Sequence, residues 1–135
     1  MAAETHRIPH DTAIEKTVAE VMIAAPKTLP SATSVADVNA AFANTSVRIV
    51  VLADGGAFRG AIVRGAVPAS AAGDEPALAY ADTSPLSARP GMSMRDAVGL
   101  LDLCPEPRLV VLDDDATTLR GMLCLNRREN AFCTR

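Results

Sequence analysis

Residues 48–54 read RIVVLAD, and residues 108–114 read RLVVLDD. Each is a continuous aliphatic run, Ile49–Leu52 in one and Leu109–Leu112 in the other, opened by an arginine and closed by an aspartate. Aliphatic runs without alternation predict strands covered on both faces. Meeting the run twice predicts duplication. Working outward, SVADVNAAF (34–42) lies over SMRDAVGLL (93–101), and FRG (58–60) lies over LRG (119–121). The offset runs 59, 60, 61 through the three matches, a drift expected where loops change length between copies. Two units emerge, 17–68 and 81–135. A polar tail, 1–16, precedes them, and a linker, 69–80, joins them within an Ala-, Pro- and Gly-rich passage.

Both units share one internal order. Ser34 stands three residues before Asp37, and Ser93 three before Asp96, a spacing that predicts a helix start. Val35, Val38 and Phe42 then fall on one helical face, as do Met94, Ala97 and Leu101. The helices are expected to end near Asn44 and Leu103, where Pro105 and Pro107 forbid continuation in the second copy. After each aliphatic run comes a turn, Asp54-Gly55-Gly56 or Asp113–Thr117, and a second strand, 58–64 or 118–125. Short extended pieces at 27–29 and 86–88 precede the helices. The expected unit is therefore β-α-β-β, with a final short helix after each hairpin.

Composition narrows the function. The chain has 135 residues, one domain's worth, and 49% of them are hydrophobic, enough to bury a core. The net charge is −3, and only four residues are aromatic (three Phe, one Tyr). A broad basic surface and base-stacking platforms are thus both excluded, which argues against nucleic acid. No apolar run reaches the ~20 residues that span a bilayer, so no membrane partner is expected. The opening residues lack a leader pattern, and with thiols expected to be reduced the reading is a cytoplasmic protein. Catalytic signatures such as G-x-S-x-G, G-x-x-x-x-G-K-[ST] and H-E-x-x-H do not occur. Both histidines, His6 and His10, lie in the polar tail, so no enzyme is expected. Cys104, Cys124 and Cys133 lack zinc-site spacing, and Cys124 reads as a small buried hydrophobe. The Asp113–Asp115 run lacks the glycine and glutamate of a calcium loop and reads as a solvated turn.

The repeat resembles the tandem CBS-domain pair, or Bateman module, from about Thr17 onward. Thr17–Met22 is similar to the family's opening segment, and Thr28-Leu29-Pro30 with Ser34-Val35 to its approach to the first helix. Val47–Val51 with Asp54 and Arg59–Ile62, and again Arg108–Val111 with Asp113 and Arg120–Leu123, resemble its strand-turn-strand block. The resemblance implies an α/β (α+β) fold of two β-α-β-β-α repeats in a pseudo-two-fold arrangement. It also implies a non-catalytic regulatory module that senses an anionic small ligand, adenine nucleotides included, in clefts between the repeats. The alternative it leaves is a ligand-free dimerisation or protein-interaction module. A homodimer is expected on either reading, with the regulated partner protein unidentified, and neither a resident cofactor nor a metal is expected.

The resemblance assigns candidate ligand residues. Arg48 and Arg108 stand where nucleotide-binding members place a phosphate contact, and a guanidinium fork suits phosphate; otherwise they are surface ion-pair residues. Family members that bind adenosine carry an aspartate after the hairpin that accepts from both ribose hydroxyls. Here those positions hold Ala66 and Arg127, which puts ordinary AMP or ATP binding in question. Arg64 and Arg127 either add positive charge near the clefts or are solvated edge charges. Thr28 and Ser87 either touch the ligand or cap local turns, and Ile62 and Leu123 complete the implied lining.

Overall fold

In the computed structural model, which describes residues 7–134, the strands are β1 (Arg7–Pro9), β2 (Thr28–Leu29), β3 (Ile49–Asp54), β4 (Ala57–Val63), β5 (Ser87–Ala88), β6 (Arg108–Leu112), β7 (Leu119–Asn126) and β8 (Ala131–Cys133). The helices are α1 (His10–Ala13), α2 (Val18–Val21), α3 (Val35–Phe42) and α4 (Met94–Leu101), with a 3-10 turn at Ala77–Tyr80. Both longer helices start as the spacing predicts. Ser34 Oγ accepts from the Asp37 amide at 3.2 Å, and Ser93 Oγ from the Asp96 amide at 3.1 Å, each satisfying one orphan donor.

The chain divides into two compact units. One is continuous, 27–85; the other is split, combining residues 7–26 with 86–134. In the continuous unit the sheet order is β2-β3-β4, with β2 parallel to β3 and β4 antiparallel to it. Its core gathers Val35, Val38, Val50, Leu52, Ile62 and Ala77. In the split unit the order is β1-β8-β7-β6-β5. There Val18, Val21, Met94, Leu101, Leu109, Val111, Leu123, Leu125 and Phe132 share a core. The mixed α+β class is as expected.

Three features differ from the sequence reading, the first two because pairing between distant segments overrides local composition and the third because a tight turn pairs β8 with β7. Residues 7–13, read as part of a polar tail, form β1 and α1. Arg7–Pro9 pairs antiparallel with Ala131–Cys133, and Ala13 is fully buried. The passage read as a linker is also built into the fold. Glu75 O accepts from the Val35 amide and Gly73 O from the Ala36 amide, both at 2.9 Å, so the linker satisfies the first amides of α3. Finally, no helix follows β7. The chain turns at 127–130, with Asn130 in the left-handed region at φ 51°, and returns as β8.

The helical turn that meets each hairpin comes from elsewhere in the chain. Met22 and Ile23, after α2, lie against β7, where Ile23 and Met122 exchange backbone hydrogen bonds of 2.8 and 3.1 Å. Ala81 and Asp82, after the 3-10 turn, lie against β4, where Asp82 and Ala61 exchange bonds of 2.8 and 3.0 Å. Glycine makes both approaches feasible. A Cβ on Gly121 would sit 2.5 Å from Ile23 O, and one on Gly60 would sit 2.9 Å from Ala81 Cβ. Thr17 caps α2 with a full box, its side chain and Glu20 serving each other's backbone amides. That box holds the Glu20 carboxyl below its usual range, through the Thr17 amide first and its hydroxyl second.

Candidate functional site

Strand register decides which residues are equivalent. In the continuous unit Ile49 faces Val63 and Leu52 faces Gly60; in the split unit Arg108 faces Cys124 and Val111 faces Gly121. Ile49 is therefore the counterpart of Arg108, and the match of RIVVLAD over RLVVLDD is one residue out of register. The cores agree, since Val50 and Leu52 point inward in one unit and Leu109 and Val111 in the other. A slip of one residue exchanges the faces of a strand. Arg48 and Arg108 are thus not equivalent, and the similarity of their flanking residues concealed this.

Four of the candidate residues lie in the continuous unit. Thr28 on β2 faces Val51, three residues along the chain from Arg48. Arg48 precedes β3, is half-buried, and donates from Nη1 to Thr45 O at 3.4 Å. Its own carbonyl accepts from the Arg64 amide at 3.0 Å, so Arg48 and Arg64 are backbone neighbours. The Arg64 guanidinium is committed to structure. Nε donates to Val47 O at 3.0 Å, and Nη2 donates to Phe42 O at 2.7 Å and to Asn44 O at 2.8 Å. The group also lies 5.1 Å from the centre of the Phe42 ring. Those carbonyls belong to the end of α3 and the segment after it, where helix carbonyls lack partners. Arg64 is a helix-end cap, a role absent from the sequence reading because its partners lie 17 to 22 residues away. Ile62 is fully buried in the core.

The other four lie in the split unit. Ser87 on β5 faces Val110, and its hydroxyl accepts from Arg89 Nη1 at 2.9 Å. Arg108 opens β6 half-buried, its Nη1 donating to Pro107 O at 3.0 Å and to Leu125 O at 3.2 Å. These bonds fix the guanidinium beside Cys124. Leu123 is fully buried in the core. Arg127 is exposed and pairs loosely with Asp102 at 3.8 Å. Cys124 in turn faces Cys133 of β8. Burial pushes the Cys124 thiol up to about 11, opposed by the charges of Arg108 and Arg7. Burial also raises the Cys104 thiol, against the charge of Arg127. Among the described residues no group of three or more His, Cys, Asp or Glu could hold a metal ion. Nor is any helix among them long and apolar enough to cross a membrane.

No family model matches the chain, and no curated protein matches it. Solved structures do. The AMP complex of CBSX2 aligns with a TM-score of 0.70 over 85% of this chain and 92% of its own, at 23% identity. A CBS domain-containing protein of unknown function from Bacillus anthracis aligns with a TM-score of 0.68 over 90% and 94%, at 12% identity. The fold is that of a tandem CBS pair. A second structure of CBSX2, from Arabidopsis thaliana, gives a TM-score of 0.68 over 79% of this chain and 86% of its own, at 20% identity. Within the CBS fold of this chain, then, the strand-opening arginines differ in register between the units and Arg64 caps a helix.

Proposed function

We propose that this chain is a non-catalytic regulatory CBS module that senses an anionic small ligand, with polyphosphorylated nucleotides as the class to test. The observation that carries the reading is a half-buried arginine at the opening of a central strand in each unit, Arg48 and Arg108. The AMP complex of the CBSX2 fold supports it. A guanidinium keeps its charge at any working pH and offers paired donors to phosphate oxygens. Arg108 is already aimed by its bonds to two carbonyls, so little ordering entropy remains to oppose binding. Without a carboxylate at Ala66 or Arg127, the ribose diol gains nothing, and phosphate charge must supply the affinity.

The test is thermal melting of the purified chain with adenosine, AMP, ATP and inorganic triphosphate. ATP and triphosphate should raise the melting temperature while adenosine and AMP leave it nearly unchanged. At about 100-fold excess over Kd the stabilisation is roughly 2.7 kcal/mol. Because the two arginines are not in register, Arg48→Ala and Arg108→Ala should lose unequal shares of that shift. A tight response to adenosine sinks the reading.

A second reading, a ligand-free dimerisation or protein-interaction module, is favoured by the loss of both ribose-binding carboxylates and by the commitment of Arg64 to backbone carbonyls. No response to any of the four compounds, together with a dimeric mass by light scattering at tens of micromolar, would establish that reading in place of the first.

A further inference from the structure

Four strands of the split unit place one row of side chains side by side. Arg108 on β6 faces Cys124 on β7, Cys124 faces Cys133 on β8, and Cys133 faces Arg7 on β1. Directly opposed residues share a sheet face, so the row reads Arg-Cys-Cys-Arg across the ladder. The core residues alternate with it, since Leu123, Leu125 and Phe132 point to the other face. Opposed residues in an antiparallel pair have Cα atoms about 4.5–5.5 Å apart. A disulfide spans about 4.4–6.8 Å between Cα atoms, so the ladder already holds these two at bonding range. No residue stands between Cys124 and Cys133 in the ladder, since the two are direct register partners on neighbouring strands. Cys124 is buried and Cys133 is half-exposed.

We propose that Cys124 and Cys133 are a redox modification site, a dithiol that closes to an intramolecular disulfide by exchange with an anionic low-molecular-weight disulfide. The half-exposed Cys133 meets the reagent first. Its deprotonated sulfur attacks one sulfur of R–S–S–R; that S–S bond breaks, a mixed disulfide forms and the first RS⁻ leaves. Cys124 then gives up its proton and attacks the Cys133 sulfur, the mixed disulfide breaks, and the second RS⁻ leaves. Each departing RS⁻ takes up a proton, so the protein loses two hydrogens and two electrons and the reagent becomes two RSH. Arg108 supplies positive charge at one end of the row and draws in carboxylate-bearing disulfides, while Arg7 at the other end is ion-paired with Glu129. Burial of Cys124 keeps the second thiol protonated until the first step brings a sulfur against it. Once closed, the bond ties β8, and β1 through it, to β7.

Sequence makes the test direct, because trypsin cleaves between the two cysteines. Cys124 lies in GMLCLNR (121–127) and Cys133 in ENAFCTR (129–135), while Cys104 lies in a third peptide. The full chain is incubated with glutathione disulfide, alkylated, digested without reductant and analysed by mass spectrometry. The expected product is GMLCLNR joined to ENAFCTR, with Cys104 alkylated and the chain monomeric in covalent mass. Closure should be about tenfold faster with glutathione disulfide than with cystamine, which carries positive charge. A stable glutathione adduct on Cys133 without the joined peptides overturns the proposal. So does a cross-link through Cys104 or between two chains, and so do equal rates with the two reagents. The wild-type chain carries the whole experiment, so no variant needs to fold.

Discussion

The second strand of each hairpin ends differently, although the ladders match pair for pair from Ile49–Val63 to Leu52–Gly60 in one unit and from Arg108–Cys124 to Val111–Gly121 in the other. In the continuous unit β4 stops at Val63, and Arg64 turns its guanidinium onto the carbonyls of Phe42, Asn44 and Val47. In the split unit β7 runs on to Asn126, Leu125 is buried where Arg64 would be, and β8 and β1 extend the sheet. One unit caps the carbonyls at the end of α3 with a charged group; the other continues its sheet with added strands and buries the ring of Phe132. Beyond the shared pairs the continuous unit is finished by hydrogen bonding and the split unit by apolar burial, so the two should respond differently to substitution.

The largest expected effect tests the apolar solution. Phe132 is fully buried, with His10 stacked 6.0 Å from it. Phe132→Ala should cost about 3–5 kcal/mol in urea unfolding; a loss below 1 kcal/mol would show that β8 contributes little to the split unit. Next come the close approaches. Gly121→Ala drives a methyl group into a backbone carbonyl and should cost about 3 kcal/mol, whereas Gly60→Ala meets a side-chain methyl and should cost about 1 kcal/mol. Equal costs would mean that the two crossing segments yield alike. Arg64→Leu imports the split unit's residue into the continuous one and strips three carbonyls of their donor. A loss of about 2 kcal/mol by the same measurement is expected, and none if the carbonyls simply turn to water.

The smallest effect concerns pH. Ser31 gives its hydroxyl, at 2.6 Å, and its amide, at 3.0 Å, to the Asp54 carboxylate and holds it below the usual carboxylate range. Pro90 stands where Ser31 would be in the split unit and has neither donor. A depressed carboxyl contributes its stability above the ordinary range and loses it as pH falls through the folded-state value. Ser31→Ala should move the Asp54 titration, followed by NMR, upward toward the ordinary range. An unmoved titration would assign the shift to the amide.

What the sequence made legible was local. Ser34 and Ser93 announce their helices because a cap acts three residues away, and the glycines after Asp54 announce their turn for the same reason. Thr17 and Glu20 carry the same signal, but a four-residue helix shows no periodicity to accompany it. Nothing near Arg7 tells of Cys133, and nothing near Glu75 tells of Val35, since those bonds join segments the chain separates widely. The candidate arginines show the limit most clearly. Their positions at strand openings were legible, but equivalence depends on register, which appears only in the pairing of Leu52 with Gly60 and of Val111 with Gly121.

The split unit also has a history in time. During synthesis residues 27–85 emerge whole, and β2, β3 and β4 can pair as soon as they clear the ribosome. The segment before them must wait. Val18 and Val21, which end fully buried, have no hairpin to cover them until β7 is made, and Arg7 cannot meet Cys133 until β8 is made. The usual order, with the amino-terminal part folding first, is reversed here. Closing so long a loop costs only a few tenths of a kcal/mol more than closing one of moderately shorter length, but it leaves residues 7–26 the last to be protected. Pulse-labelled hydrogen exchange on the refolding chain should therefore show the amides of residues 50–62 protected before that of Ile23, whose partner is Met122.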